Sequence, residues 1–376
     1  MAKDAQRAPS TLASHGEVFT RRWVVDVLLD LVGYVPDRRP TELRLLEPSC
    51  GSGAFLLPAV ERLLASCGSA SSDIDELQHA VTAWDIQPAN VARCREAVMT
   101  LLARHGMGTE ATEFLARRWV RCGDYLLADG DDSSADVVVG NPPYVRLEDV
   151  PHEVQRQYRT RWLTMGGRAD LYVGFIEKGL RSLAPGGRLG FICADRWMRN
   201  QYGAELRRLV ASSYSVDSVW TMHDVDAFEA SVSAYPAITV VSRRPQGPAV
   251  VADTTERFGA ASARELARWV RTSELSAASG LGYQAYRLPH WFPGDELWPS
   301  GSPERLALVE HLNDHFGPLH DPDAGTRVGI GVATGADQIF LTKDGSVVEP
   351  DRLLPMATVR NTRGGRLEWD GNYRRY

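Results

Sequence analysis

The stretch that decides the fold is residues 136–144, which read Asp-Val-Val-Val-Gly-Asn-Pro-Pro-Tyr. The β-branched apolar run is bounded by turn-forming residues, a pattern that predicts a fully buried strand of a parallel sheet. Open α/β sheets bind their ligands at the carboxyl ends of such strands. The sequence therefore predicts a ligand site immediately after this strand, at Asn141, Pro142, Pro143 and Tyr144.

These four residues offer hydrogen-bond acceptors and a flat apolar surface. The prolines fix φ and lack an N–H donor, so the carbonyl groups of the turn are held outward as acceptors. Asn141 contributes a side-chain carbonyl, Pro142 a backbone carbonyl and Tyr144 an aromatic face. The set suits a planar ring with an exocyclic amine, although an ordinary Pro-rich turn after a strand would carry the same letters.

Upstream, residues 43–56 predict a strand, a glycine loop and a helix. The strand ends at Glu47, and the residues that follow it include Ser49, Gly51, Gly53 and Phe55. Glycines allow the backbone to approach a ligand closely, and the helix N-terminus then faces it. The spacing matches neither G-x-G-x-x-G nor a loop that ends in Gly-Lys-Ser/Thr. Glu47 also disfavours phosphate and favours a cation, such as a sulfonium with an α-amine.

Acidic residues follow two more predicted strands. Residues 80–86 form the first of these, with Asp85 at its end, and Asp124 follows the strand at 119–122. An acid at the end of the second strand is the usual acceptor for ribose hydroxyls, and Asp124 is placed to accept from an adenine amine. A single acid in a loop is normally solvated, but the repeated position after successive strands favours a functional role.

Composition limits the classes of protein to which the chain can belong. Its 376 residues are enough for two domains, and its net charge of −6 means that any nucleic-acid contact depends on local arginine clusters such as residues 145–168. No apolar run is long enough to span a bilayer. The five cysteines lack C-x-x-C spacing and zinc-ligand histidines, which favours a reduced, cytoplasmic protein without a metal.

In this order, the stretches resemble the γ-class adenine-N6 DNA methyltransferases of restriction–modification systems. That group includes Taq-type enzymes, fused restriction enzymes and BREX-type phage-defence proteins. The resemblance covers residues 16–245. The motifs that carry it are Gly16 to Thr20 (motif X), Glu47 to Leu56 (I), Asp85-Ile86 (II), Gly123-Asp124-Tyr125 (III), Asn141 to Tyr144 (IV), Asp170 to Phe175 (V) and Phe228 to Val240 (later motifs).

The resemblance implies an α/β, Rossmann-like class I methyltransferase fold, a mostly parallel seven-stranded sheet with helices on both faces. It also implies S-adenosyl-L-methionine as cofactor, with Thr20 at the methionine carboxylate and Glu47 near its amine. The residues expected to bind the cofactor are Phe19, Thr20, Glu47, Ser49, Gly51, Gly53, Phe55, Asp85, Ile86, Asp124, Tyr125 and Asn141.

The implied activity is methyl transfer to N6 of an adenine flipped out of double-stranded DNA. Asn141 and the Pro142 carbonyl would accept the two N–H bonds of the amine, as catalytic residues together with Tyr144. Tyr144 would stack on the flipped base, Phe228 would pack on its other side, and Pro143 completes the substrate-binding set. The expected partners are DNA and a restriction endonuclease or a separate recognition subunit.

Two departures from the family accompany the resemblance. Arg21 stands where the family commonly has proline after Phe-Thr. The carboxyl end is also short: residues 327–340 look like the opening of a target-recognition domain that normally runs much further. We therefore expect a disordered lead (1–15), a methyltransferase domain (16–245), a linker (246–300) and an incomplete recognition region (301–376).

Two other readings stay open at this point. Asn-Pro-Pro-Tyr also serves methyltransferases that act on protein glutamine amides and on RNA guanine N2, where the same acceptors activate a different planar amine. The short recognition region also fits a catalytically idle, cofactor-binding subunit of a defence complex that depends on a partner for DNA recognition.

Overall fold

A computed structural model describes residues 18–67, 74–129, 134–230 and 235–298. Beyond these it describes 308, 311–312, 315–317, 320–328, 341–344, 349–356 and the backbone of 373–375. The expected lead, the first residues of motif X and most of the segment at 327–340 lie outside the described residues. The chain divides into two compact units, residues 1–309 and 310–376.

The described residues of the first unit form one mixed sheet of ten strands in the order β3-β2-β1-β4-β5-β7-β6-β8-β10-β9. The strands are Leu45–Glu47 (β1), Val81–Asp85 (β2), Val120–Cys122 (β3), Ala135–Gly140 (β4), Leu183–Ala194 (β5), Ser215–Thr221 (β6), Pro236–Ser242 (β7), Ala249–Thr254 (β8), Ala277–Gly280 (β9) and Tyr283–Leu288 (β10).

Parallel pairing in the first half of the sheet brings the predicted site residues to one edge. β1 pairs with β2 and with β4 in parallel, with Leu46 opposite both Thr82 and Val138. β3 and β5 continue the parallel half. The carboxyl ends of β1, β2 and β4 therefore meet, which places Glu47, Asp85 and Asn141 at the same edge. β7 runs antiparallel between β5 and β6.

Helices cover both faces of this sheet, as expected, because its central strands are apolar on both sides. The described helices are Arg22–Val32 (α1), Leu56–Ser66 (α2), Ile74–Leu77 (α3), Pro88–Arg104 (α4), Thr109–Trp119 (α5), His152–Arg161 (α6), Leu171–Arg181 (α7), Ala204–Ser213 (α8) and Ala260–Thr272 (α9). One core contains buried residues of α1, α2, α4, α5 and α9, and the other contains those of α6, α7 and α8. None of the described helices is long and apolar enough to cross a membrane.

Residues 246–300 differ from the expected linker. β8 pairs in parallel with β6, and β10 pairs antiparallel with β8 and β9, so the segment extends the sheet by three strands. α9 packs its buried Ala263 and Leu266 into the first core. The expected α/β architecture with helices on both faces of the sheet is confirmed, but the described residues give the sheet ten strands rather than seven, and the first unit reaches residue 309.

The described part of the second unit contains a small antiparallel sheet. Leu341–Thr342 (β11) and Leu353–Pro355 (β12) both pair with Tyr373–Arg375 (β13), in the order β11-β13-β12. A short 3-10 helix, Pro350–Arg352, precedes β12.

Candidate active site

A cavity of about 440 Å³ lies at the carboxyl edge of the parallel strands. Cofactor pockets of proteins commonly enclose some hundreds of cubic ångströms. Most of the residues singled out in the sequence line it: Phe19, Thr20, Glu47, Ser49, Gly51, Phe55, Asp85, Ile86, Asp124, Tyr125, Asn141 and Pro143. Gly53, Pro142, Tyr144 and Phe228 are not among the lining residues. The cavity therefore brings together most of the residues predicted to bind the cofactor, and Asn141 and Pro143 of the predicted base-binding set line it as well.

The glycine loop after β1 is held against the end of β2. Gly51 and Gly53 have φ of 52° and 100°, a left-handed conformation that side chains rarely adopt. The Gly51 N–H donates to Asp85 Oδ2 at 2.9 Å, and the Cys50 N–H donates to the Trp84 carbonyl at 2.8 Å. These bonds fix the loop that forms one wall of the cavity.

Glu47 is a buried acid at the end of β1 with only 1% of its surface exposed. Its Oε2 atom is buried and has no hydrogen-bond partner. Burial raises the pKa of the Glu47 carboxyl well above its usual value, and Cys94 and Asp85 raise it further. Because native proteins rarely leave buried polar atoms unpaired, this oxygen indicates a place for a ligand donor or cation.

Asp85 lines the cavity but is already engaged by the protein. Its Oδ2 accepts from the Gly51 N–H, and its Oδ1 accepts from the Gln87 N–H at 2.8 Å and from Asn90 Nδ2 at 3.4 Å. The predicted ribose contact would therefore use the remaining lone pairs of these oxygens. Ile86, the next residue, is 57% exposed and presents an apolar surface to the cavity.

Asp124 is bound by a tyrosine that the sequence did not single out as a site residue. Its Oδ1 accepts from the Leu126 N–H at 2.9 Å, and its Oδ2 accepts from the Tyr158 hydroxyl at 2.6 Å. Burial, together with Asp124, raises the pKa of Tyr158. Tyr158 lies on α6, inside the arginine-rich segment after Asn-Pro-Pro-Tyr, and lines the cavity with Val154. The aromatic ring among those arginines was the available sequence signal.

The Asn141 side chain is fixed in one orientation. Its Nδ2 donates to the Val18 carbonyl at 3.1 Å and to Thr20 Oγ1 at 3.2 Å. A backbone carbonyl can only accept, so the amide nitrogen must face Val18 and the oxygen must face away. Asn141 Oδ1 is buried and has no hydrogen-bond partner. The residue therefore presents a preoriented, unsatisfied acceptor at the end of β4.

Tyr144 and Phe228 form an aromatic group beside this acceptor. Their ring centroids are 6.4 Å apart at an interplanar angle of 84°, an edge-to-face contact. The Tyr144 ring also lies 6.3 Å from that of Tyr172. The Tyr144 hydroxyl is buried with no partner, and burial raises its pKa well above the usual value. The two predicted base-binding rings therefore lie next to each other, but they are not parallel.

Residues Val18–Arg21, here called the strap, contact both Asn141 and the segment around Phe228. Thr20 forms an antiparallel bridge with Phe228, in which the Glu229 N–H donates to the Phe19 carbonyl at 2.9 Å and the Arg21 N–H donates to the Ala227 carbonyl at 3.0 Å. Arg21 has φ −62° and ψ 142°, a conformation that proline also adopts. The departure from the family at Arg21 thus fits the backbone path.

Comparison with known proteins gives matches along the whole chain. The family described as Eco57I restriction-modification methylase matches residues 83–228. The chain is 41% identical to the Type II methyltransferase M.PaeR7I of Pseudomonas aeruginosa, over 98% of this chain and 64% of that protein. It is 39% identical to the Type II methyltransferase M.XhoI of Xanthomonas vasicola, over 95% of this chain and 65% of that protein. The chain thus spans a little less than two thirds of the length of both relatives.

A solved structure supports the same fold. The methyltransferase subunit of a type I restriction-modification system from Streptococcus thermophilus superposes with a TM-score of 0.54 at 15% identity, covering 73% of this chain and 56% of that one. At this identity the match supports the fold alone. The sequence matches, which extend over nearly all of the chain, show that it resembles the methyltransferases of restriction-modification systems.

Proposed function

We propose that this chain transfers a methyl group from S-adenosyl-L-methionine to N6 of adenine in double-stranded DNA, as the modification enzyme of a restriction–modification system. The observation that carries the proposal is Asn141 Oδ1, a buried acceptor with no partner in an amide whose orientation is fixed by Val18 and Thr20. The relatives named Type II methyltransferases favour DNA over the protein and RNA amines that the motif also serves.

The residues around the cavity fit the cofactor. Its volume of about 440 Å³ suits a ligand of this size, and Glu47 offers an unpaired carboxyl oxygen to a cationic group. Ile86 would contact the adenine ring, and Asp124 would accept from its amine beside Tyr158. When bound, the cofactor supplies an electrophilic methyl group on a sulfonium.

Asn141 would activate the target amine. The N6 lone pair is delocalised into the adenine ring, so the free amine is a poor nucleophile. Acceptance of its N–H bonds by Asn141 Oδ1 and the Pro142 carbonyl draws the nitrogen toward tetrahedral geometry and localises the pair. Because Val18 and Thr20 hold the amide in place beforehand, little reorganisation is needed at the moment of reaction.

The target base would enter beside Tyr144. Its N6 edge is paired inside a duplex, so the nucleotide must leave the stack before it reaches Asn141. Tyr144 would stack on the base and Phe228 would pack on its other side. Since the two rings now meet edge to face, entry of the base requires the Phe228 ring to turn away from Tyr144. A restriction endonuclease or a recognition subunit would be the further partner of this activity.

The test is transfer of labelled methyl groups from S-adenosyl-L-methionine to duplex DNA, followed by digestion to nucleosides. We expect N6-methyladenine from the purified chain. Asn141→Ala should lower transfer by about a thousandfold, the scale of losing one transition-state hydrogen bond in a preorganised site. Its cofactor affinity, measured by calorimetry, should change by less than about threefold, because the wall at Glu47 and Asp124 is untouched. Equal loss of both would show that Asn141 is structural, and cofactor binding without transfer would favour an idle subunit.

A further inference from the structure

The strap contacts three parts of the proposed site: Asn141, the cavity and the segment around Phe228. Val18 and Thr20 hold the Asn141 amide, while Phe19 and Thr20 line the cavity. Phe19 and Arg21 bind the main chain on either side of Phe228. One short segment therefore determines the position of the acceptor, of part of the cofactor wall and of the second aromatic ring.

Arg21 makes two separate contacts with the Phe228 segment. Its backbone N–H donates to the Ala227 carbonyl, just before Phe228. Its guanidinium Nη2 lies 2.9 Å from both Asp226 Oδ1 and Asp226 Oδ2. The two side chains are 39% and 78% exposed, so solvent screens the ion pair and its contribution is small. The backbone bond is the stronger of the two contacts.

We propose that Arg21 is a positioning residue for the target base: its bond to Ala227 and its ion pair to Asp226 hold the Phe228 segment against the strap that orients Asn141. This inference rests on the proposed function. With main-chain bonds on both sides of Phe228, entry of the base is left to rotation of the Phe228 side chain, and the segment itself stays in place. The segment is then ordered before DNA binds, so the free energy of binding the base does not have to offset the cost of ordering it.

The decisive variant is Arg21→Pro. Proline adopts the backbone angles found at position 21, and Thr20 before it is already extended in its bridge to Phe228, as proline requires. The substitution therefore removes the N–H donor and the ion pair without redirecting the chain. Arg21→Ala removes the ion pair alone. Arg22→Ala is the matched control, because Arg22 is an adjacent, exposed arginine whose ion pairs go to Asp26 and Glu61 instead.

Three measurements separate the roles. Loss of one net hydrogen bond corresponds to roughly fivefold, so Arg21→Pro should lower kcat/KM for DNA by about fivefold and Arg21→Ala by about twofold. The fluorescence of 2-aminopurine placed at the target adenine should fall in Arg21→Pro, since fewer bases are held outside the duplex. Cofactor affinity should stay within about twofold, because Phe19 and Thr20 retain their bonds to Glu229 and Asn141.

A double-mutant cycle tests the ion pair. Arg21→Ala combined with Asp226→Ala should cost no more than either single substitution if the two side chains act on each other. If the losses of the two single substitutions add in the double variant, the two side chains act independently, and the proposed role of the ion pair is refuted.

Hydrogen exchange of the amides at 225–230 provides a readout that needs no activity. Exchange at Phe228 and Glu229 should accelerate about fivefold in Arg21→Pro and stay unchanged in Arg22→Ala. If Arg21→Pro equals Arg22→Ala in exchange and in base extrusion, the positioning role is refuted. If cofactor affinity falls by the same factor as kcat/KM, Arg21 supports the cavity and not the base. Failure of the wild-type chain to transfer methyl would refute the proposed function, and the exchange result would still decide whether Arg21 holds Phe228.

Discussion

At the scale of single residues, the unpaired carboxyl oxygen of Glu47 indicates which kind of group the cavity binds. Burial raises the pKa of its carboxyl, and the Oε2 atom has no hydrogen-bond partner. A neutral acid tolerates such a place, but an isolated buried carboxylate is strongly disfavoured. A cation bound beside it reverses that preference, so the protonation state of Glu47 becomes coupled to the occupancy of the cavity.

We predict that binding of S-adenosyl-L-methionine releases a proton. The empty protein holds Glu47 protonated up to its raised pKa, whereas the cofactor-bound protein favours the carboxylate and so binds fewer protons. Affinity therefore rises with pH between the usual Glu pKa and the raised one, by at most about tenfold per pH unit. Calorimetry in two buffers with different ionisation enthalpies measures the released proton directly.

Glu47→Gln is the control for this prediction. The amide keeps the shape of the side chain but cannot ionise, so binding by this variant should be weaker and independent of pH in the same range. Proton release that persists in Glu47→Gln would assign the effect to another group, and an affinity that falls as pH rises would contradict the proposed role of Glu47.

At the scale of elements, α6 forms part of the cavity wall and is joined to the segment after β3 by a side-chain hydrogen bond. Val154 and Tyr158 line the cavity from this helix, and the Tyr158 hydroxyl bonds Asp124 across 34 residues of sequence. Its arginines face outward, where Arg156 pairs with Glu153 and Arg161 with Asp129. The helix is therefore a wall of the site on one face and a charged surface on the other.

Tyr158→Phe should loosen this wall. It leaves Asp124 Oδ2 without its hydroxyl donor, and a hydrogen bond to a charged group contributes about 1.5–3 kcal/mol. We expect the cofactor dissociation constant to rise by about tenfold, mainly through faster release, as measured by stopped-flow fluorescence. Tyr235→Phe, at an exposed tyrosine outside the cavity lining, is the matched control. An unchanged release rate would show that the bond between Tyr158 and Asp124 does not hold α6 in the cavity wall.

The packing of α1 on the sheet depends on the absence of a side chain at Gly190 in β5. A Cβ there would overlap Val32 Cγ1 and lie 3.1 Å from Leu28 Cδ2. Gly190→Ala should therefore reduce the free energy of unfolding by about 1–3 kcal/mol through overpacking, as measured by urea denaturation. Gly247→Ala, where a Cβ meets nothing within 4 Å, should be neutral or stabilise by about 0.5 kcal/mol. Equal effects of the two substitutions would contradict this account of the α1 interface.

Local sequence predicted the elements that end at the site, because their signal is local. Val137 to Val139 are β-branched and follow one another directly, which favours a strand, and Gly51 and Gly53 predict the turn after β1 from their own conformational freedom. Pairings between distant residues carry no such signal. The sequence around Asp124 does not predict its bond to Tyr158, and the sequence around Asn141 does not predict the Val18 carbonyl that orients its amide.

At the scale of the whole molecule, the first unit is larger than its sequence pattern indicated. Proline and glycine near residues 245–247 predicted a linker, and the apolar run that follows, Ala249 to Ala252, is only four residues long. Such a short run forms a strand because it can pair with the edge of β6, so its structure depends on tertiary contacts. The same holds for β9, which has exposed residues and, among the described strands, pairs with β10 alone.

A chain that ends at Val309 should therefore keep the cofactor site. Every residue that lines the cavity lies between Val18 and Phe175, and the ten-stranded sheet is complete at Leu288. We expect this shortened chain to unfold cooperatively in urea and to bind S-adenosyl-L-methionine within about twofold of the full chain. Loss of binding by a folded 1–309 chain would show that residues 310–376 contribute to the cavity.

The strap also has a consequence for how the protein is made. Arg21 and Asp226 are 205 residues apart, and Asn141 and Val18 are 123 apart, so the contacts that complete the site join residues that are far apart in the sequence. Long-range contacts form late in folding, and a chain on the ribosome lacks Asp226 until 205 residues have been added after Arg21. The parallel strands of the sheet can thus assemble before the strap is bound to the Phe228 segment. We expect the growing chain not to methylate DNA until the strap is held by residues that are made more than two hundred positions later.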